Sequence, residues 1–230
     1  DLGERDLICW NALIAGYAQQ EQGYEALACF ERMQNEGIHP DEVAFICMLK
    51  ACGNAGVINK GIEIHDEILR RGFLKHNLVL GNALIDMYTT CGVVAKAREV
   101  HEELFVRDVV SWSALISGYA QQGQAHEALT SFERMQEEGI LPNKFIYLCV
   151  LKACSITKDA CEGRKVHDDV MRSGFESDLA VQNTLVDMYS KCGFLRKAHE
   201  VLEEICFRNE FSWNALVSGY AQQGLGQEAI

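Results

Sequence analysis

The chain has 230 residues, of which 48% are hydrophobic, and a formal net charge of −12 at pH 7. This composition is ordinary for a folded protein and leaves enough apolar surface for a continuous core. No run approaches the roughly 20 uninterrupted apolar residues of a membrane span, so we expect no membrane partner. The acidity argues against non-specific adhesion to nucleic acid, because phosphate binding normally depends on Lys and Arg. It does not exclude a nucleic-acid surface, since the acids can lie on another face.

The chain repeats itself with a long period. Nearly the same segment surrounds Trp10, Trp112 and Trp213, which are spaced by 102 (112 − 10) and 101 (213 − 112) residues. A fixed long period is typical of stacked copies of one unit, and not of a globular core with a single active site. The first residues and the last residues correspond to incomplete copies, so we expect a piece of a longer array.

Each long period splits into three parts, and each part predicts two helices joined by a turn. In residues 109–143, the positions Trp112, Leu115, Ile116 and Tyr119 follow the spacing of one helical face. A second apolar stripe in the same part predicts its second helix, with a glycine as the C-terminal stop. The residues of that stripe and its stop are Ala128, Leu129, Phe132, Met135 and Gly139.

The three parts alternate in length as 35, 36 and 31 residues (7–41, 42–77 and 78–108). Helical hairpins of this size cannot bury an apolar stripe alone and must stack on their neighbours. The predicted fold class is therefore all-α, a right-handed α-solenoid of stacked helix-turn-helix repeats. The predicted repeats are 1–6 (the end of a preceding short repeat), 7–41, 42–77, 78–108, 109–143, 144–178, 179–209 and 210–230 (partial).

The ten cysteines recur with the repeat and do not form a framework of their own. Cys52 and Cys154 share the sequence Lys-Ala-Cys, whereas Cys91 and Cys192 share Cys-Gly. Cysteines at a repeat period inside apolar helical stretches behave as small buried hydrophobes. This pattern favours a reducing compartment over a disulfide scaffold.

Two histidines and the aromatic residues each allow a chemical interpretation and a structural one. His65 and His101 begin His-x-Glu sequences, which are half of a zinc-deaminase signature, but no Cys-x-x-Cys accompanies them. We therefore predict that both lie on solvated helix faces, with no metal, no cofactor and no catalytic residue in the chain. Trp112 and Tyr119 could be base-stacking platforms, but their i, i+7 spacing on the apolar stripe favours core packing.

Three signatures closely resemble those of the pentatricopeptide repeat family, in the subclass where ordinary, long and short motifs alternate. They are Trp10-Asn-Ala-Leu-Ile14, Leu49-Lys-Ala-Cys52 and Asp187-Met-Tyr-Ser-Lys-Cys-Gly193. The resemblance covers essentially the whole chain and implies recognition of single-stranded RNA, about one base per repeat. It also implies a mitochondrial or chloroplast protein that specifies sites for cytidine-to-uridine editing. Any deaminase activity would then lie in a further domain or a partner, since the segment itself is not expected to be an enzyme.

The resemblance also implies which residues contact RNA. In the family, the fifth residue of a motif and its last residue meet the base edge, and the second residue is an apolar neighbour of the base. The implied base-recognition residues are Asn11, Asp41, Asn82, Asp108, Ser113, Asn143, Asn183, Asn209 and Asn214. The implied base-flanking apolar residues are Ile8, Val79, Val110, Ala180 and Phe211.

The pairs of fifth and last residues resemble particular base choices. The implied bases are uracil for Asn11 with Asp41 and for Asn82 with Asp108, adenine for Ser113 with Asn143, and a pyrimidine, more often cytosine, for Asn183 with Asn209. The long motifs depart from the pattern because their fifth residues, Ile46 and Leu148, cannot hydrogen-bond a base. Asn77 and Asp178 at their ends are therefore doubtful base contacts. In the family, long motifs serve as spacers and as docking sites for small accessory proteins. The resulting hypothesis is the RNA sequence U-x-U-A-x-C.

The residues themselves leave alternatives open. An Asn near a helix start is by default a cap, and Asp41 and Asn143, which each follow a proline, could be simple turn residues. The recurrence of Asn at one position of several motifs favours recognition instead. For the whole chain, the alternative is a protein-binding scaffold whose acidic surface engages a basic partner.

Overall fold

A computed structural model describes residues 7–75, 77–206 and 208–225. Within those ranges all regular secondary structure is helical, and none of these helices is long and apolar enough to cross a membrane. The helices are α1 (Leu7–Gln19), α2 (Gly23–Asn35), α3 (Glu42–Ala55), α4 (Ile58–Arg71), a short 3-10 helix (Phe73–Lys75), α5 (Leu78–Thr90), α6 (Val94–Glu103), α7 (Val109–Gln121), α8 (Ala125–Glu137), α9 (Lys144–Thr157), α10 (Ala160–Arg172), α11 (Leu179–Lys191), α12 (Leu195–Glu204) and α13 (Glu210–Gln222).

The chain divides into two compact units, residues 1–118 and 119–230, with the boundary inside α7. In the first unit, α3 packs between α1 and α5, and each of these helices packs on the helix that follows it. In the second unit, α11 packs between α9 and α13, and α12 packs on α11. Each unit is therefore a stack of helical hairpins. We call the odd-numbered α-helices the first helices.

Glycines in the left-handed conformation follow most of the described α-helices, and the sequence predicts one such stop after α8. Gly139 follows α8 with φ +73°, and its amide donates to the carbonyl oxygen of Gln136 over 2.9 Å. The amide of Ile140 donates to Met135 O over 3.1 Å, so both carbonyl groups at the helix end are satisfied. Glycine adopts this φ without the steric cost that a Cβ imposes.

The same core is built twice. Phe30 of α2 packs against Phe45 of α3 with ring centroids 6.2 Å apart, and Phe132 of α8 packs against Tyr147 of α9 with centroids 6.1 Å apart. All four rings are buried, and burial of such a side chain stabilises the fold by about 1.5–3 kcal/mol. The two predicted apolar stripes are also buried.

Core packing is confirmed for two of the three tryptophans. Trp10 and Trp112 are fully buried, and the guanidinium of Arg32 from α2 lies 5.8 Å from the centroid of the Trp10 ring. Trp213 is 47% exposed. The second helix of the motif that contains Trp213 would begin among residues 226–230, which lie outside the described residues.

The prediction that the two histidines lie on solvated faces is wrong. His101 is 1% exposed, and its ring packs edge-on against Trp112 with centroids 4.3 Å apart. His65 is half-buried, and its Nδ1 lies 2.9 Å from the hydroxyl oxygen of Tyr88. In both cases the partner ring belongs to the next predicted motif, so the local sequence around the histidine does not reveal it.

The recurring cysteines behave largely as predicted. Cys52 and Cys154 are fully buried, and burial raises the pKa of each thiol to about 12. Cys91 and Cys192 are half-buried, and their Sγ atoms lie 3.8 and 3.7 Å from the carbonyl oxygens of Cys52 and Cys154. Thiols with raised pKa values stay protonated at neutral pH and are poor nucleophiles.

Candidate nucleic-acid interface

Apolar side chains are exposed at one position of every first helix, the second residue of each predicted motif. Ile8 and Phe211 are each 76% exposed, and the predicted base-flanking residues Val79, Val110 and Ala180 are exposed as well. Five apolar residues exposed at one register are unlike the scattered apolar residues of an ordinary surface. We call the face of the first helices that carries the second and fifth residues of the motifs the recognition face.

The long motifs follow the same rule at a position that the sequence prediction left out. Val43 is 51% exposed and Phe145 is 50% exposed, and both are second residues of the predicted long motifs. The signal was available in the sequence, since an apolar residue follows the first residue of the motif in each case. Exposed apolar side chains therefore continue across the long motifs.

In the first ordinary motif, the predicted base-recognition residues contact each other. The amide Nδ2 of Asn11 on α1 donates to both carboxylate oxygens of Asp41 over 3.0 and 3.1 Å. Asp41 also accepts from the backbone amide of Ala44 over 2.9 Å and so caps α3. Helix capping and pairing with the fifth residue are therefore not alternatives, because the Asp41 carboxylate does both. The Oδ1 of Asn11 is shielded from solvent and has no hydrogen-bond partner among the described residues.

The first short motif repeats this arrangement with longer distances. Nδ2 of Asn82 on α5 lies 3.3 and 3.5 Å from the two carboxylate oxygens of Asp108. Asp108 caps α7 by accepting from the amides of Val110 and Ser111 over 3.1 and 2.8 Å. As in Asn11, the amide oxygen of Asn82 is shielded and lacks a partner within the described ranges.

The hydrogen bonds of the second short motif differ from those of the first. Nδ2 of Asn183 lies 3.5 Å from Oδ1 of Asn209, and Asn209 caps α13 in a capping box with Ser212. The Ser212 hydroxyl also lies 2.6 Å from Oδ1 of Asn183. The amide oxygen of the fifth residue therefore has a hydrogen-bond partner here, whereas in the two Asn–Asp pairs none of the described residues bonds to it.

The predicted pair of the second ordinary motif, Ser113 and Asn143, belongs to two different compact units. The Ser113 hydroxyl on α7 donates to the carbonyl oxygen of Val109 over 2.5 Å. Asn143 is exposed and caps α9 by accepting from the amide of Ile146 over 3.0 Å. Asn214, the fifth residue of the partial motif 210–230, is exposed on α13.

In the long motifs the last residue pairs with the first residue of the motif instead of the fifth. Nδ2 of Asn77 donates to the Glu42 carboxylate, and Lys144 Nζ lies 3.0 Å from the Asp178 carboxylate. The fifth residues, Ile46 and Leu148, are half-buried aliphatic side chains that offer no hydrogen bond. Asn77 and Asp178 still cap α5 and α11. Only in the ordinary and short motifs, then, can the fifth residue bond to a polar group.

Comparison with known proteins identifies the repeats. A model described as the PPR repeat family matches residues 5–54 and 107–155, and the PPR repeat model matches residues 43–73, 183–209 and 211–230. A mitochondrial pentatricopeptide repeat-containing protein of Arabidopsis thaliana is 38% identical over 100% of this chain and 28% of its own length. A chloroplastic relative from the same plant is 34% identical over 100% of this chain and 37% of its own length. The chain thus spans about a third of the curated relatives that it matches.

Solved structures show the same fold. The crystal structure of the pentatricopeptide repeat protein PPR10 in complex with an 18-nt psaJ RNA element has a TM-score of 0.85 and 23% identity, over 98% of this chain and 34% of that chain. Nuclear proteinaceous RNase P 2 of A. thaliana has a TM-score of 0.59 and 14% identity, over 72% of this chain and 38% of that chain. The predicted all-α solenoid class is confirmed. The chain belongs to the pentatricopeptide repeat family.

Proposed function

We propose that the chain binds single-stranded RNA on its recognition face and selects one base with each ordinary and short motif. The observation that carries the proposal is the bond between the fifth and last residues of a motif, which are 30 residues apart in Asn11–Asp41 and 26 apart in Asn82–Asp108. The Asn of each pair lies three residues beyond the exposed apolar second residue on the same helix, and positions i and i+3 share a helix face. A base edge at the pair would then have an apolar neighbour on one side of its ring.

The hydrogen-bonding state of the pair supports the proposed bases. In the Asn–Asp pairs the carboxylate accepts from Nδ2, and Oδ1 is an acceptor without a partner in the described part of the chain. A buried acceptor without a partner is costly. When the Asn side chain turns toward a base, its oxygen can accept from uracil, which offers a donor at N3 where cytosine offers an acceptor. In the Asn183–Asn209 pair, Ser212 already occupies Oδ1. The amide is left as a donor, which suits cytosine.

We also propose the division into ordinary, long and short motifs, 7–41, 42–77, 78–108, 109–143, 144–178, 179–209 and 210–230. Six first helices begin at residues 42, 78, 109, 144, 179 and 210, which supports these bounds. The different pairing of Asn77 and Asp178 supports a separate class of long motif. Residues 1–6, proposed as the end of a preceding motif, lie outside the described residues.

The biological role that we propose is to position a cytidine for editing in a mitochondrion or chloroplast. Several relatives carry one of these two organelles in their names, which supports the location. The chemistry would come from a deaminase in cis or in trans, and a small accessory protein would dock on the long motifs. The 230 residues would select the RNA site and contribute no catalytic group.

The pair at residues 113 and 143 provides the test. Ser113→Asn combined with Asn143→Asp recreates the first ordinary pair, so the preference at that one RNA position should move from A to U. The measurement is a titration of U-x-U-A-x-C against oligomers that carry each of the four bases at its fourth position. An unchanged preference for A would refute the assignment of this pair.

A protein-binding scaffold is the second candidate, favoured by the net charge of −12. A gel shift of U-x-U-A-x-C and of a scrambled oligomer at two salt concentrations separates the two functions. RNA binding predicts that the scrambled oligomer binds more weakly and that both affinities fall as salt rises. Equal and negligible binding of both oligomers favours the scaffold.

A further inference from the structure

The helical lysines fall into two groups by their partners. Of the eight lysines in the described α-helices, six place Nζ within 3.0 Å of a carboxylate oxygen. These six are Lys60, Lys96, Lys144, Lys165, Lys191 and Lys197. Lys50 and Lys152 are the exceptions, since within the described ranges neither lies in an ion pair, and both are exposed. In a chain with 33 acidic and 21 basic side chains, two such lysines at equivalent positions call for an explanation.

Both lysines lie on the recognition face of a long motif. Lys50 is four residues beyond Ile46 and seven beyond Val43 on α3, so the three side chains share a helix face. Lys152 has the same spacing from Leu148 and Phe145 on α9. Four residues correspond to a rise of about 6 Å along the helix. Each long motif therefore presents two apolar residues and then a cation, where ordinary and short motifs present a polar fifth residue.

The acidic neighbours differ between the two copies. Asp86, at the corresponding position of α5, is the acidic neighbour of Lys50, although the two do not approach within ion-pair distance. In the second copy the corresponding residue, Asp187, is held by Lys191, whose Nζ lies 2.8 Å from its carboxylate oxygen. In the second copy, therefore, the carboxylate at this position already has a lysine partner.

We infer that Lys50 and Lys152 bind phosphate groups of the RNA backbone where the strand crosses the long motifs. This inference rests on the proposed RNA binding and adds a role for motifs that cannot select a base. An ammonium on a flexible four-carbon stem is suited to a phosphate oxygen, which requires charge but no fixed geometry. Each long motif would then hold the strand in place between neighbouring base-selecting motifs, independently of the base that it passes.

Salt dependence of binding tests the inference directly. Lys50→Ala and Lys152→Ala are compared with Lys60→Ala and Lys165→Ala in the 230-residue chain, using fluorescence anisotropy with labelled U-x-U-A-x-C. The control lysines are ion-paired in the second helices α4 and α10, so all four variants lose one positive charge. Each phosphate contact contributes about 0.7 to the slope of log affinity against log salt for a single strand, so we expect Lys50→Ala and Lys152→Ala each to reduce the slope by about 0.7. We expect affinity at low salt to fall several-fold, with no change of base preference.

An uncharged linkage completes the test. Oligomers with one methylphosphonate linkage, moved along the strand, should bind the unsubstituted chain more weakly at the linkages opposite the long motifs. The matching lysine variant should show no further loss at that linkage, because the contact is already absent. Specific binding with slopes that match the controls would overturn this inference and leave the proposed function standing. No binding by the unsubstituted chain would overturn both.

Discussion

The two short motifs have the same fifth residue but different hydrogen bonds. Asn82 in the first faces Asp108, and its amide oxygen has no partner among the described residues. Asn183 in the second faces Asn209, and its amide oxygen lies 2.6 Å from the Ser212 hydroxyl. The serine is present in both copies as Ser111 and Ser212. The chemistry of the last residue therefore decides what the fifth residue can offer a base.

The cause is the number of acceptors at the last position. Asp108 has two carboxylate oxygens, so it can accept from the amides of α7 and from Nδ2 of Asn82 together. Asn209 has one acceptor oxygen, which the Ser212 amide and hydroxyl approach within 3.0 Å. The Asn183 amide is left at the weak distance of 3.5 Å. One oxygen thus changes the hydrogen bonds of a residue 26 positions away.

Replacing Asn209 by Asp should have the largest effect on this comparison. The variant recreates the first short motif, so the base preferred at the sixth RNA position should move from C to U. We expect a change in discrimination of about 1–3 kcal/mol, the value of a good side-chain pairing with a base. Asp is as good a helix cap as Asn, so the thermal unfolding of the variant should be nearly unchanged. A variant that folds normally and still prefers C would contradict the role of the last residue.

Removing the serine hydroxyl should have the next largest effect. Ser212→Ala deletes one arm of the capping box of α13 and the contact with Asn183, so the free energy of unfolding should fall by about 1–2 kcal/mol in urea titrations. Ser111→Ala is the matched control, because Ser111 bonds to Asp108 while the amide oxygen of Asn82 has no partner in the described structure. Its loss should be smaller by about 1 kcal/mol. Equal losses would show that the hydroxyl contact with Asn183 contributes nothing.

Acid should destabilise both long motifs through His65 and His167, by less than the loss of the serine hydroxyl does. Burial lowers the pKa of His65 and of His167 below the ordinary 6.5, and Lys197 lowers that of His167 further. Between the lowered and the ordinary pKa, the unfolded chain binds more protons than the folded chain. The stabilisation that the neutral, buried histidines give is therefore fully present above about pH 6.5 and is lost as the pH decreases. Replacing both histidines with Gln should reduce the loss of unfolding free energy between about pH 7.5 and about pH 5.5. NMR titration should show that both histidines protonate below their ordinary pKa, and an unshifted or raised pKa for either would contradict burial as the dominant influence.

The sequence predicted those features that depend on local periodicity. The apolar stripe around Trp112, the stop at Gly139 and the exposed Ile8 follow from spacing within one motif or from the family pattern. His101 was misassigned because the ring that buries it, Trp112, belongs to the next motif. The pairing of Asn77 with Glu42 was missed for a similar reason, since it joins the two ends of a motif across 35 residues. A charged first residue in both long motifs, where the short motifs have leucine, was the available signal.

The most direct test is a base-by-base titration of the hexamer U-x-U-A-x-C with the unsubstituted chain. Each of the six positions is changed in turn to the other three bases, and the dissociation constants are compared at one salt concentration. Changes at positions one, three, four and six should weaken binding. Positions two and five, opposite Ile46 and Leu148, should tolerate every base. Equal sensitivity at all six positions, or selection at positions two and five, would contradict this prediction.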